Sequence, residues 1–211
     1  DRRELEDKII VYLRISLSIG GAFLRESTPW RGRLHPEIGQ VCVPRWQSKI
    51  PEETEVERSW THHLASNKHS VEGLAAVPAI EARFQTPFRE LQAQPDHLAW
   101  KREAWYIAQL AWTLTCTVSP DQIVLGGRVM LVPGLLDRIR RTFYNHVAGH
   151  PSFPYYPEMD DPEAYLVASV VRYGDKNLEL PQRPGIVGAL CVAAMEDQPE
   201  NVLDLQRKLI I

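Results

Sequence analysis

The sequence predicts an α/β fold in one domain spanning residues 1–211. Three observations carry the prediction. The run IIVYLRISL at residues 9–17 is apolar and β-branched, as a buried strand is. Ala104, Ile107, Ala108, Ala111 and Leu114 recur at helical spacing. The short run Ile123-Val124-Leu125 ends in Gly126-Gly127 and leads into a second helical pattern. Strands that alternate with helices in this way layer a sheet against helices.

The elements follow in order. Gly20-Gly21 punctuates the first strand and residues 22–25 begin a return, so a hairpin turning at the two glycines is expected. Residues 26–70 carry Pro29, Pro36, Pro44 and Pro51, the tryptophans Trp30, Trp46 and Trp60, and the acidic stretch EETEVE. They read as one long irregular region, and such loops in compact domains are often functional. Helical spacing starts at Val71 and keeps Leu74, Ala75, Ile80 and Phe84 to one face, with Pro78 starting or kinking the helix. Asp96 is expected to N-cap the clearest helix, which Ser119-Pro120 ends. After the strand at 123–125, a helix with Pro133 near its start presents Leu135, Leu136, Ile139, Phe143 and Val147. A Pro- and Tyr-rich loop at 149–163, a strand at 164–171 and a loop at 174–184 come next. A small-residue helix at 185–195 and a C-terminal helical extension over 200–211 complete the reading.

Composition narrows the function classes. The chain has 24 Lys and Arg against 27 Asp and Glu, a formal charge of −3, with 44% hydrophobic and 24% charged residues. These values exclude wholesale disorder. They give no electrostatic reason to expect nucleic acid or an anionic membrane as partner. No apolar run approaches the ~18 residues of a spanning helix, so membrane insertion is not expected. Cys42, Cys116 and Cys191 form no CxxC pair, which favours a reducing compartment and a soluble, intracellular protein. The charged start DRRELEDK does not read as a leader peptide, so none is expected in these residues, and a first residue other than Met leads us to expect sequence upstream.

Five blocks, read in order, resemble the ROK family (repressor, open reading frame, kinase), in particular its bacterial fructokinase branch. They are SIGGAF (18–23), RLHPEIGQVCVPR (33–45), VEGLAAVPAIEARF (71–84), SPDQIVLGGRVMLVPGLL (119–136) and YGDKN with PGIVGAL (173–190). The resemblance implies an actin-like, ribonuclease-H-like fold of two lobes with ATP between them. The matching residues correspond to the end of the first lobe and most of the second, a mixed sheet flanked by helices. It also implies that the glycine-rich phosphate strand and the catalytic Asp of the family precede the residues seen here.

What the resemblance implies for the site can be followed residue by residue. SLSIGG (16–21) is similar to a GTGIGG turn that approaches phosphate; Gly20 and Gly21 are retained, while Ser16, Leu17 and Ser18 depart from the pattern. Considered on its own, the segment reads as a plain hairpin turn. HPEIGQ resembles HPExGH, whose Glu binds the sugar: Glu37 is retained, and Gln40 replaces the last His, which in the family serves both sugar and zinc. Glu72 matches a second sugar-binding Glu. Glu37, Gln40 and Glu72 are the candidate substrate residues, and the two carboxylates read equally well as helix caps.

Gly126 and Gly127 match a glycine run beside adenosine, with Arg128 at the third glycine, where it would bind phosphate or block the pocket. Gly174, in YGDKN, is similar to a turn near adenine, with LELPQR inserted before Pro184-Gly185. Zinc is not expected, since Gln40 and Ser70 stand at ligand positions, and His62, His63 and His69 lack ligand spacing and read as a polar loop.

Core-type residues match the family better than ligand-type residues do. On that ground the first expectation is a non-catalytic ROK lobe that needs no cofactor. It would serve as a structural or interaction subunit in a hetero-complex or homodimer, with residues 100–116 and 149–162 contributing to contacts. The alternative is the C-terminal part of an ATP- and magnesium-dependent hexose kinase, a fructokinase, with its other lobe cleaved or on another chain. A sugar sensor acting through Glu37 and Glu72 is a third possibility.

Overall fold

The structure, a computed structural model, describes residues 8–25, 28–30, 32–51, 53, 57, 69–147, 162–169, 172–173 and 178–179. The chain divides into two compact units, Asp1–Val167 and Ala168–Ile211. In the second unit, Arg172–Tyr173 pairs antiparallel with Leu178–Glu179. Gly174 and the helices expected at 185–195 and 200–211 lie outside the described residues.

The first unit is built on a mixed sheet. Its strands are β1 (Ile9–Ile15), β2 (Ile19–Arg25), β3 (Thr28–Pro29), β4 (Gln122–Gly126) and β5 (Leu166–Ala168). They lie in the order β3-β2-β1-β4-β5. β1 runs antiparallel to β2 and parallel to β4, with Val11 opposite both Phe23 and Ile123. Val11, Leu13 and Ile15 alternate along β1 and are fully buried with Ile123 and Leu125 of β4. This period-two pattern faces one side of the sheet toward the helices.

The hairpin turns three residues earlier than the sequence suggested. Ser16-Leu17-Ser18 forms the reversal, and Gly20 and Gly21 lie inside β2. Ser16 N–H donates to the Ser18 carbonyl at 3.1 Å, and Arg14 Nη2 donates to Ser18 Oγ at 3.2 Å. Neither serine has a positive φ, so the turn does not need glycine. Gly21 is there for packing: a Cβ would sit 2.5 Å from the Tyr12 carbonyl oxygen and 2.7 Å from Ile38 Cδ1.

The α-helices described in full are α1 (Val71–Ala75), α2 (Val77–Phe84), α3 (Phe88–Gln92), α4 (Leu98–Val118), α5 (Leu135–Thr142) and α6 (Pro162–Tyr165). Extended backbone at Ala76 separates α1 from α2, and Pro78 sits in the first turn of α2, where its missing N–H costs nothing. α4 buries the expected stripe and also Trp100, Tyr106 and Leu110. Its N-cap is His97, whose Nδ1 accepts from Ala99 N–H at 3.2 Å, and not Asp96. Asp96 lies one residue too early and instead binds Arg138 Nη2 at 2.8 Å.

Leu135, Ile139 and Phe143 of the α5 stripe are buried, whereas the Val147 side chain lies outside the described residues. Most of the strand expected at 164–171 is absent from the described residues: 162–165 are helical and only Leu166–Ala168 are strand. Pro162 suits a helix start, and Tyr165 is drawn into the core, its hydroxyl 2.7 Å from Thr115 Oγ1. Among the described residues no helix is long and apolar enough to cross a membrane.

The region expected to be irregular holds strand at Thr28–Pro29, a 3-10 turn at Ile38–Gln40 and helical residues Pro51, Glu53 and Glu57, and it is tied down by a buried ionic cluster that no local pattern announces. Glu57, Arg102 and Glu103 are buried, as is the Arg83 side chain. Glu57 Oε2 lies 3.1 Å from Arg102 Nη1 and 3.6 Å from Arg83 Nε, and Tyr106 OH donates to Glu57 Oε1. Arg83 Nη2 donates to the Leu74 carbonyl at 2.8 Å, and Arg45 Nη1 donates to the Glu57 carbonyl at 2.6 Å. The Arg102 guanidinium lies 5.0 Å from the Trp46 ring centre and 5.3 Å from that of Phe84. One carboxylate thus links the 45–57 segment to α2 and α4.

Burial pushes the neighbouring Glu103 carboxyl well above its ordinary value, Arg83 opposing the shift. A carboxyl raised by folding contributes stability that is full below the ordinary carboxylate range and is lost as pH rises through the folded value. Glu103→Gln should therefore flatten that decline, with the variant gaining on the wild type as pH rises. Melting curves between about pH 4 and pH 9 test this; parallel pH profiles for the two proteins would refute it.

Candidate functional site

Parallel strands β1 and β4 end side by side, with Arg14 opposite Gly126. Ligands of open α/β sheets collect at the carboxyl ends of such strands. At this edge Gly127, with φ +96°, closes tightly on β1: a Cβ there would lie 2.3 Å from the Ile15 carbonyl oxygen. The Ser16 carbonyl accepts from Val77 N–H at 2.9 Å, which holds the β1–β2 turn against the junction of α1 and α2. Leu17 at the tip of that turn is exposed.

Glu72 is the organising side chain. It lies in the first turn of α1, which Ser70 caps by accepting from Gly73 N–H at 3.1 Å. Glu72 Oε2 accepts from Ile19 N–H at 2.8 Å and Oε1 accepts from Gln40 Nε2 at 3.2 Å. A carboxylate oxygen has two lone pairs, so each still has capacity for a ligand hydroxyl. Gly39 makes this convergence possible, since a Cβ would meet the Ile19 carbonyl oxygen at 2.1 Å and Glu72 Oε2 at 3.3 Å.

Of the sequence candidates, Gln40 and Glu72 are brought together. Glu37 is three residues away, on the far side of the 3-10 turn Ile38–Gln40; its carboxylate is exposed and lies 2.6 Å from His35 Nε2. It makes no side-chain cap. Gly126 and Gly127 sit at the carboxyl end of β4, and Gly127 is accounted for by its positive φ together with its close approach to Ile15. Gly20 differs, because the space where its Cβ would stand is open. Arg128 is exposed, with its guanidinium 5.1 Å from the Phe88 ring centre. Sequence reasoning missed Gly39, although its place inside HPEIGQ was a signal. It also missed Ile19 N–H, which no side-chain pattern could reveal.

The residues described do not fit a zinc centre. Cys42 and Ser70 face each other in an isolated antiparallel bridge, and the Ser70 hydroxyl is committed to its helix cap. No three His, Cys, Asp or Glu side chains gather among the described residues. His62 and His63 lie outside them.

The ROK family model matches residues 2–164, more than half of the chain. The chain belongs to the ROK family. It is 32% identical to a fructokinase of Zymomonas mobilis over 131 residues, 62% of this chain and 41% of that protein. It is 32% identical to a Streptococcus mutans fructokinase over 136 residues, 64% of this chain and 44% of that protein. The chain spans about half the length of the curated relatives it matches.

Among solved structures, a ROK hexokinase from Thermus thermophilus is similar, with TM-score 0.54 and 23% identity over 81% of this chain and 54% of that one. A ROK glucokinase from Streptomyces griseus in complex with glucose and AMPPNP has TM-score 0.54 and 16% identity, over 77% and 55% of the two chains. These neighbours share the sugar-kinase fold of the ROK family, the actin-like architecture the sequence blocks implied.

Proposed function

We propose that this ROK chain is part of an ATP-dependent hexose kinase of fructokinase type. The observation that carries the reading is Glu72, retained and held in a fixed orientation by Ile19 N–H and Gln40 Nε2 at the end of β1. The fructokinases among its relatives support the kinase reading better than the non-catalytic subunit ranked first from sequence. Two of the departures that favoured a scaffold also have local explanations. Ser16 and Ser18 occupy a turn that needs no glycine, and Ser70 caps a helix.

In this reading Glu72 and Gln40 take sugar hydroxyls. The open space at Gly20 lets a phosphate group approach the backbone, and the 126–128 edge faces the nucleoside. ATP supplies the transferred phosphoryl group, and no residue described here is assigned to its magnesium. The base that accepts the sugar hydroxyl proton and the rest of the phosphate cradle would come from outside these residues.

The test uses the protein expressed from the full reading frame that contains this chain. ATP-dependent phosphorylation of fructose is expected, with Glu72→Gln lowering kcat/KM by about 100-fold, as loss of a charged hydrogen bond to substrate does. A folded full-length protein that turns over neither fructose nor glucose nor mannose would return the non-catalytic subunit to first place.

A further inference from the structure

Away from the β1–β4 edge, the segment after Pro44, helices α4 and α5 and the turn Phe143–Val147 that follows α5 line an open cleft of about 380 Å³. Trp46, Lys101, Trp105, Arg138, Arg141 and Asn145 line it, and among the described residues no carboxylate does. That is an unusual local balance in a chain whose net charge is −3. Lys101 and Arg141 are exposed and have no ion-pair partner among the described residues. Arg138 is half-buried and steadied by Nη2, which donates to Asp96 Oδ1 at 2.8 Å and to the Pro95 carbonyl at 3.2 Å. The rest of its guanidinium fork is uncommitted among the described residues.

The two indoles are held in place before any ligand arrives. Arg102 stacks on the Trp46 ring at 5.0 Å, and the backbone N–H of Trp46 donates to Tyr106 OH at 3.2 Å. Trp105 Nε1 donates to the Pro44 carbonyl at 3.1 Å. Rigid aromatic walls contribute contact area at little entropic cost. Three cations beside them match an anion that carries a ring, because guanidinium forks and an ammonium group bind phosphate oxygens and an indole face packs on a sugar or base. The volume suits a molecule the size of a hexose phosphate or a mononucleotide.

We propose that this cleft binds a small ring-bearing organic phosphate, its phosphate on Lys101, Arg138 and Arg141 and its ring against Trp46 and Trp105. The proposal stands apart from the kinase reading, because it uses none of the residues at the β1–β4 edge.

Calorimetric titration of the chain with fructose 6-phosphate, AMP, inorganic phosphate and fructose tests it. At least one of the first two should bind, more tightly than inorganic phosphate and with an affinity that falls as salt rises; which of them binds identifies the ring. Lys101→Glu/Arg141→Glu changes two exposed side chains and should weaken binding at least tenfold while the melting curve stays unchanged. Glu72→Gln should leave in place the salt-dependent binding that the double variant weakens, whatever it does to sugar binding at the β1–β4 edge. No binding by either ring phosphate overturns the proposal. So does inorganic phosphate binding as tightly as both, or a titration that Glu72→Gln abolishes and the double variant leaves intact.

Discussion

Glu57→Ala is expected to destabilise the protein by about 3–5 kcal/mol, the range found when one partner of a buried ion pair is removed. The carboxylate is the counter-charge of Arg102 and lies beside Arg83, with all three side chains almost wholly out of solvent. Alanine would leave two guanidinium groups in a dry environment and remove the acceptor of Tyr106 OH. Domains of this size are stable by only about 5–15 kcal/mol, so the loss would take a large share of the total. Urea unfolding measures it. Glu57→Gln keeps an acceptor for Tyr106 and should fall between wild type and alanine. If the alanine variant unfolds within about 1 kcal/mol of wild type, the cluster does not anchor the 45–57 segment.

Gly127→Ala should cost about 3 kcal/mol or more, combining a strained backbone with a collision against backbone. Its φ of +96° lies outside the region that side-chain-bearing residues adopt readily, and its Cβ would stand 2.3 Å from the Ile15 carbonyl oxygen. No flexible side chain can give way there, so β1 and β4 would have to separate where they end. Gly20→Ala is the control, since nothing lies within 4 Å of the added Cβ. It should change stability by less than about 1 kcal/mol, and under the kinase reading it should still impair nucleotide use. Equal urea midpoints for the two variants would contradict this account of the edge.

These two sites mark the limits of what was legible beforehand. Gly127 was visible in sequence as a glycine at a strand end, yet its reason for being there is the Ile15 carbonyl, which arrives from more than a hundred residues away. Glu57 sat in an acidic stretch of a region read only as a long irregular loop. Its partners Arg83, Arg102 and Tyr106 lie on helices whose apolar stripes gave no sign of an ion pair beneath. Asp96 had the chemistry of a helix cap, but the helix begins one residue later than a cap at that position allows. Glu37 and Glu72 looked equivalent on paper; only Glu72 turns inward.

The residues themselves determined the strands β1 and β4, the long α4 stripe and membership of a fold, because local periodicity and the order of apolar blocks are properties of the chain read along its length. Tertiary structure alone decided which glycines serve packing, which carboxylate meets Ile19 N–H, and where buried charges find partners. Those outcomes depend on groups far apart in sequence coming within a few ångströms, and a one-dimensional pattern does not encode the distances between them.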